Sequence, residues 1–191
     1  METEETRGLH PAWGFIAVGL YATHAVTLLR AGAAPHLLWS CHLSCLLLAA
    51  GIWLRRPVLA GTALLWLTPG LPTWVVSALS VEGFFHATSA LTHVLGFGLA
   101  VAAVRAGGMP RGTWWRAFLG LVALWCVTRF ALSEAHNVNV TRRFWFGWEG
   151  EYVSFPVYVG ILALLAAGVF FAMEKVVRAV RPARGSGSPC C

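Results

Sequence analysis

The sequence predicts an all-α, polytopic membrane protein in which six transmembrane helices form one bundle and both termini are cytoplasmic. Of its 191 residues, 58% are hydrophobic and 12% are charged, whereas about 25% of the residues of a soluble domain are charged. Apolar stretches that approach the length of about 20 residues needed to cross a bilayer recur along most of the chain. A chain with so few polar side chains cannot form a water-facing surface, so we expect lipid to be its main solvent.

Charged or Gly/Pro-rich breaks separate six apolar stretches. They cover residues 12–29, 37–54, 58–79, 84–104, 114–132 and 153–173. We accordingly expect a cytoplasmic N-terminal segment (1–11), a six-helix transmembrane domain (12–180) and a flexible cytoplasmic tail (181–191). Pro69 and Pro72 interrupt the third stretch, and proline removes a backbone donor, so we expect this helix to be kinked or unwound where it lines a cavity.

The distribution of basic residues predicts the orientation. With six spans, ten of the 14 Lys and Arg residues fall on the side that holds both termini. These ten are Arg7, Arg55, Arg56, Arg105, Arg111, Arg116, Lys175, Arg178, Arg181 and Arg184. Because cytoplasmic loops are enriched in Lys and Arg, both termini are predicted to be cytoplasmic, in the plasma membrane or an endomembrane. The net charge of +6 then predicts contact with anionic lipid headgroups, and we expect no nucleic-acid partner.

Most of the side chains that could catalyse a reaction or bind a ligand fall in the outer half of the predicted domain, opposite the termini. At about 1.5 Å of rise per residue, they lie within about 15 Å of the outer helix ends. They are His24, Cys41, His42, Cys45, His86, Ser89, Thr92, His93 and Arg129. Ionisable groups within spans are costly and almost always face the bundle interior or a wet cavity. The pattern therefore predicts a polar pocket open to the outer leaflet.

A thiol and an imidazole are expected at similar depth in this pocket. Cys41 and Cys45, spaced i, i+4, share one face of the second helix, and His86 and His93, spaced i, i+7, share one face of the fourth. A cysteine becomes a useful nucleophile when a neighbouring imidazole favours its thiolate. We predict Cys41 as the nucleophile, His93 as the base and His42 or His24 as a group that orients them.

The remaining polar residues are predicted to bind a membrane-lipid substrate. Arg129 would contact its headgroup, because a guanidinium binds phosphate and carboxylate groups well. Hydroxyl groups on the fourth helix would stabilise an oxyanion. The predicted substrate-binding set is Arg129, His24, His86, Thr92 and Ser89.

Three segments resemble a known family. They are residues 37–45 (LLWSCHLSC), residues 92–95 (THVL) and the end of the fifth helix over residues 118–139. Together they resemble the YwaF-type family of six-helix membrane proteins, which includes a mammalian transmembrane acyltransferase. The resemblance spans about residues 37–173. It implies that a membrane Cys followed by His, with a His on a later helix, transfers fatty acyl chains between lipids.

Carried over residue by residue, the family's Cys-His pair corresponds to Cys41 and His42, and its later histidine corresponds to His93. The chain departs from the family at Ser40, where proline is typical. The stretch between helices five and six is also longer than in the family. The predicted activity is therefore acyl transfer or hydrolysis of a lipid through a thiol.

The same residues allow other interpretations. Histidine pairs across a bundle can hold haem, and histidines with cysteines can hold a soft metal. The candidate ligands are His24, His42, His86 and His93, with Cys41 and Cys45. No CxxC or HExxH spacing supports a metal, so we expect neither a metal nor another cofactor.

A non-enzymatic receptor or assembly factor is a further alternative. Residues 137–152 combine aromatic side chains with paired charges and would suit a protein partner. Small residues along the fourth helix would allow close packing within the bundle or in a homo-oligomer. They are Gly96, Gly98, Ala100 and Ala103.

Overall fold

A computed structural model describes residues 9–80, 86–133, 135–144 and 154–180. All regular structure in these ranges is helical, which confirms the all-α prediction. The elements in chain order are α1 (Ala12–Arg30), η1 (Ala34–Leu38, 3₁₀), α2 (Ser40–Trp53), α3 (Pro57–Ser80), α4 (Ala87–Gly107), α5 (Thr113–Ala131), η2 (Val138–Val140, 3₁₀) and α6 (Phe155–Val180). Residues 1–8 of the expected N-terminal segment and the whole expected tail, 181–191, lie outside the described residues.

Four of these helices, α1, α3, α4 and α6, are long and apolar enough to cross a membrane. The second predicted span begins too early, because residues 34–38 form η1 and Trp39 is extended. Helix α2 therefore begins at Ser40 and has 14 residues. Helix α6 continues beyond the predicted end at residue 173 and reaches Val180.

Helix α3 is continuous through both of its prolines, so the expectation of an unwound segment is wrong. The hydroxyl of Thr68 donates to the carbonyl of Leu64 at 2.8 Å, and the hydroxyl of Thr73 donates to that of Pro69 at 2.8 Å. Each proline removes one backbone donor, the one that would bind the carbonyl of Leu65 or of Thr68. The packing of α3 on α2 and α4 holds the helix together through these two positions.

Helix α3 is the centre of the packing. It contacts α2, α4, α5 and α6, while α1 closes a four-helix group by packing on α2 and α4. Leu64, Leu65 and Leu67 of α3 are almost completely buried. Helices α5 and α6 pack on each other and on α3. The bundle is therefore a four-helix group, α1 to α4, with an α5–α6 pair attached through α3.

Contacts at the helix ends show which ends lie together. The Trp53 indole, at the end of α2, donates to the carbonyl of Pro11, just before α1, at 3.0 Å. The Glu174 carboxylate, near the end of α6, accepts from the backbone N of Trp114, at the start of α5, at 2.8 Å. We call this the basic end, because it carries Arg55, Arg56, Arg105, Arg111 and Arg178. At the opposite end, here the histidine end, the last part of α1 meets the start of α4.

Backbone-to-backbone packing of α2 on α3 depends on Gly51. A Cβ at this position would lie 2.7 Å from the backbone N of Ala60. We expect Gly51→Ala to destabilise the protein by about 1–3 kcal/mol, because α3 must move to admit the methyl group. Gly98→Ala is the matched control, since a Cβ there meets nothing within 4 Å. Thermal unfolding in detergent measures both, and equal unfolding temperatures would contradict the close approach.

Candidate functional site

Cysteine and histidine side chains from three helices meet at the histidine end. The Sγ of Cys41 and one ring nitrogen each of His42 and His93 lie within 4.8 Å of one another. The rings of His42 and His93 have their centroids 5.8 Å apart. The ring of His24 packs against the ring of His42, and their centroids are 4.4 Å apart. All four side chains are buried. We call Cys41, His42, His93 and His24 the Cys-His cluster.

His93 is held in one orientation by α4 itself. Its Nδ1 lies 2.8 Å from the backbone carbonyl of Ser89, one turn earlier. A carbonyl only accepts, so Nδ1 carries the proton and the neutral ring keeps a free lone pair on Nε2. The Trp74 indole of α3 stacks on the ring, with centroids 5.3 Å apart and an interplanar angle of 18°. Both the ring edge and a ring face of His93 are therefore fixed.

The other two imidazoles are anchored in the same way. His42 donates through Nδ1 to the carbonyl of His36 at 2.9 Å. His24 Nδ1 lies 3.0 Å from the Thr88 hydroxyl, which itself donates to the hydroxyl of Thr27 at 3.3 Å. Because the Thr88 proton is used in that second bond, His24 Nδ1 is the donor. Each histidine of the cluster thus keeps an unprotonated Nε2.

The start of α2 is positioned by a residue far along the chain. The Asn139 side-chain oxygen accepts from the backbone N of Ser40 at 2.9 Å, and its amide nitrogen donates to the carbonyl of Leu38 at 2.9 Å. Cys41 follows at once, and a Cβ at Gly70 of α3 would lie only 3.1 Å from the Cβ of Cys41. Asn139 and Gly70 together fix the thiol between α2 and α3.

Three predicted substrate-binding residues on α4 have other partners or positions. Ser89 acts through its carbonyl, and its hydroxyl lies 3.5 Å from Nδ1 of His93. Thr92 is buried and donates to the carbonyl of Thr88 at 2.9 Å, so its proton is used within α4. His86 is exposed and directly precedes α4. Of the three, Ser89 is the one that contacts the cluster.

Arg129 holds the loop that follows α5. Its guanidinium donates to the carbonyl of Thr141 at 3.3 Å. In return, the guanidinium of Arg142 donates to the carbonyls of Arg129 and Leu132. Helix α5 packs on α3, α6 and η2. The structure therefore directs the side chain of Arg129, in the last turn of α5, to this loop and not to the cluster, because the orientation of α5 is set by its own neighbours. Of the predicted partner segment 137–152, residues 145–152 lie outside the described residues.

Sequence reasoning missed three residues that shape the cluster: His36, Trp74 and Asn139. His36 acts through its backbone carbonyl, and the identity of a residue does not indicate which partner its carbonyl will bind. Trp74 lies in an apolar run, where an aromatic residue is expected in any case. Asn139 is separated from Ser40 by 99 positions, so only the folded chain brings them together.

The cluster has the groups needed for two kinds of chemistry. A thiol beside an imidazole with a free Nε2 is a nucleophile beside a base. The same sulfur and nitrogen atoms are ligands for a soft or borderline metal such as Zn²⁺, at about 2.3 Å for sulfur and 2.0–2.1 Å for nitrogen. The rings of His24 and His42 are in direct contact, which leaves no room for a porphyrin between them.

Comparison with protein-family models, with curated proteins and with solved structures gives no match for this chain. The resemblance to the YwaF-type family therefore remains a prediction from the short segments around Cys41 and His93. The function has to be argued from the chemistry of the cluster, since a fold alone does not imply an activity.

The pH dependence of stability tests His36, whose backbone carbonyl accepts the hydrogen bond from His42. His36 lies in η1, outside the long helices, and its Nδ1 accepts from the Trp39 indole at 3.3 Å. Burial, followed by the nearby His136, lowers the pKa of His36 below its ordinary value. Between that lowered pKa and about 6.5, the unfolded chain binds more protons than the folded one. The stability contributed by neutral His36 is therefore complete above about pH 6.5 and is lost as the pH falls through the lowered pKa.

We expect the unfolding temperature of the wild type to fall more than that of His36→Gln when the pH is lowered from about 7.5 to about 5.5. Thermal unfolding in detergent across this range is the measurement. A His36→Gln profile parallel to that of the wild type would show that His36 does not titrate in this way.

Proposed function

We propose that the protein is a membrane enzyme that transfers or hydrolyses the acyl chain of a lipid through the thiol of Cys41. The observation that carries the proposal is the approach of the Cys41 Sγ and the ring nitrogens of His42 and His93 to within 4.8 Å. The anchoring of His93 to the carbonyl of Ser89 adds an orienting group. A nucleophile, a base and a group that orients the base are the parts of a covalent acyl-transfer site.

We further propose that all six α-helices cross the membrane, with both termini in the cytoplasm. The end contacts described above support alternating helix directions. The short α2 spans Ser40–Trp53, and η1, which precedes it, would lie at the outer surface. A bilayer accommodates a span of this length by thinning locally. The basic end carries most of the described Lys and Arg residues, as cytoplasmic ends do. In this orientation the Cys-His cluster lies at the depth of the outer leaflet.

The depth of the cluster favours a lipid ester as substrate. Cys41 is the second residue of α2, and His93 lies about 9 Å from the start of α4 at 1.5 Å per residue. This depth is near the boundary between the headgroup region and the hydrocarbon core of about 30 Å. The ester carbonyls of phospholipids lie at that boundary, so they are the electrophiles most available to the thiol.

In the proposed reaction, the thiol proton of Cys41 moves to Nε2 of His93 as Sγ attacks the ester carbonyl. The carbon–oxygen ester bond breaks, and the leaving alkoxide takes the proton from the imidazolium. The thioester formed on Cys41 is then attacked by a hydroxyl of a second lipid or by water. That attack releases the acyl product and returns the thiol. His42 and His24 form the polar wall beside this site, and Arg129 is left out because it binds the loop.

Substitutions that preserve side-chain size test the thiol and the base separately. We expect Cys41→Ser and His93→Gln each to lower acyl transfer in proteoliposomes by at least about 100-fold, the usual effect of losing a nucleophile or a general base. Transfer between two labelled phospholipids is followed by mass spectrometry, together with the mass of an acyl thioester on the protein. Cys126→Ser, at an exposed position on α5, should keep both signals. Full activity of Cys41→Ser would defeat the mechanism.

A metal site is a second candidate function, and a specific observation favours it. One thiol and two imidazoles converge within 4.8 Å, and each imidazole uses Nδ1 for an anchor, as metal-bound histidines do. His24, in contact with His42, is a candidate for a fourth ligand. A tetrahedral set of this kind suits Zn²⁺ or Cu⁺.

Elemental analysis of the purified protein separates the two candidates. A metal site predicts about one Zn or Cu per chain that Cys41→Ser and His93→Gln lose and Cys126→Ser keeps. A purely thiol-dependent enzyme predicts full acyl transfer after chelation. Metal at less than about one tenth of the chain concentration, after growth with added Zn²⁺ and Cu²⁺, would eliminate the metal candidate.

A further inference from the structure

A second polar site lies at the basic end, far from the Cys-His cluster. A cavity of about 550 Å³ there is lined by residues of α6 and of the start of α5. Its lining comprises Arg111, Trp114, Phe171, Glu174, Lys175, Arg178 and Ala179. Three of these are cationic and one is acidic. The net positive charge of the lining favours the binding of an anion in this cavity.

The single carboxylate of this lining is already engaged. Glu174 is buried, and its two oxygens accept from the backbone N of Gly112 at 3.0 Å and of Trp114 at 2.8 Å. It therefore satisfies the donors at the start of α5, which would otherwise attract an outside anion. Arg178 approaches the same carboxylate at 3.8 Å. The Nζ of Lys175 lies over the Phe171 ring, 5.2 Å from its centroid, and among the described residues no carboxylate neutralises Lys175 or Arg111. Both charges can therefore meet an anionic ligand.

An apolar groove continues from this cavity between α5 and α6. Its volume is about 810 Å³, and Trp114 lines both spaces. The groove is lined by Trp114, Trp115, Phe118, Leu119, Val157, Gly160, Ile161, Ala163, Leu164 and Ala167. Gly160, Ala163 and Ala167 are spaced i, i+3, i+7, so these small residues share one face of α6 and form a shallow floor.

The dimensions of the groove match one acyl chain. From Ala167 to Val157, α6 rises about 15 Å, which is half of a hydrocarbon core of about 30 Å. A cationic cavity followed by an apolar groove of one leaflet's depth has the polarity profile of an anionic lipid. A soluble phosphate would use the cavity but not the groove.

We propose that this continuous surface binds an anionic phospholipid of the leaflet at the basic end. The phosphate lies among Arg111, Lys175 and Arg178, and one acyl chain lies in the groove between α5 and α6. The lipid would join α5 to α6 where their contact is open, and the site is independent of the chemistry at the Cys-His cluster.

Binding is measured with purified protein in detergent by native mass spectrometry and by thermal shift. The probes are phosphatidylglycerol, phosphatidylcholine with the same acyl chains, and glycerol phosphate as the soluble headgroup. We expect phosphatidylglycerol to bind at least about tenfold more tightly than phosphatidylcholine, since basic residues near an interface select anionic headgroups. Glycerol phosphate should not stabilise the protein. Equal binding of the two lipids would overturn the proposal, as would equal stabilisation by the soluble headgroup.

Three charge variants and two glycine variants test the two parts of the site. Arg111→Gln and Lys175→Gln should each weaken phosphatidylglycerol binding about fivefold, whereas Arg105→Gln, exposed at the same end, should not. Gly160→Leu should fill the groove and weaken binding at least about tenfold. Gly168→Leu is the matched control: a Cβ at either glycine meets nothing within 4 Å, and Gly168 does not line the groove. Equal effects of the two leucine variants, both with wild-type unfolding temperatures, would refute the acyl-chain assignment.

Discussion

Every ring N–H of a buried histidine in an apolar bundle must have an acceptor, and this requirement organises the histidine end of the protein. The acceptors are the carbonyls of Ser89 and His36 and the hydroxyl of Thr88. Two of the three are backbone groups, so their positions depend on helix geometry and not on side-chain rotation. A ring that turned away would leave a buried donor unsatisfied. The tautomer with a free Nε2 is thus a consequence of the fold.

Helix α3 connects this requirement to the rest of the bundle. Gly70 lets its backbone approach Cys41, and Trp74, one turn further on, covers the ring of His93. Gly70 lies between Pro69 and Pro72, and Trp74 lies two residues after Pro72; the helix accommodates both prolines without a break. Because α3 also packs on α5 and α6, it lies between the Cys-His cluster and the groove that α5 and α6 form. The two sites are therefore formed by different helices: α1, α2 and α4 carry the Cys-His cluster, and α5 and α6 line the groove.

Long-range polar contacts fix the loops at the histidine end. Asn139 binds both sides of the junction between η1 and α2, and Arg142 donates to carbonyls at the end of α5. Such carbonyls have no partner within the helix and need an outside donor. These bonds connect the loop after α5 to the start of the helix that carries the thiol. The loop after α5 is accordingly part of the support of the cluster.

The sequence alone determined the helical class, the approximate limits of the helices and the concentration of thiol and imidazole groups at one end. These properties depend on composition and on the position of each residue along its helix. The rise per residue converts that position directly into the depth of the side chain. The direction in which a side chain faces depends also on which helices are neighbours. For that reason depth alone predicted Arg129 and His86 beside His93, whereas in the structure Arg129, in the last turn of α5, binds the loop that follows and His86 is exposed.

Only the tertiary structure decided that His36, Trp74 and Asn139 support the cluster, and that α3 stays continuous through its prolines. The physical reason is that these contacts join residues distant in sequence. Their free energy arises when packing excludes lipid and water from between the helices, and no local pattern of residues encodes it.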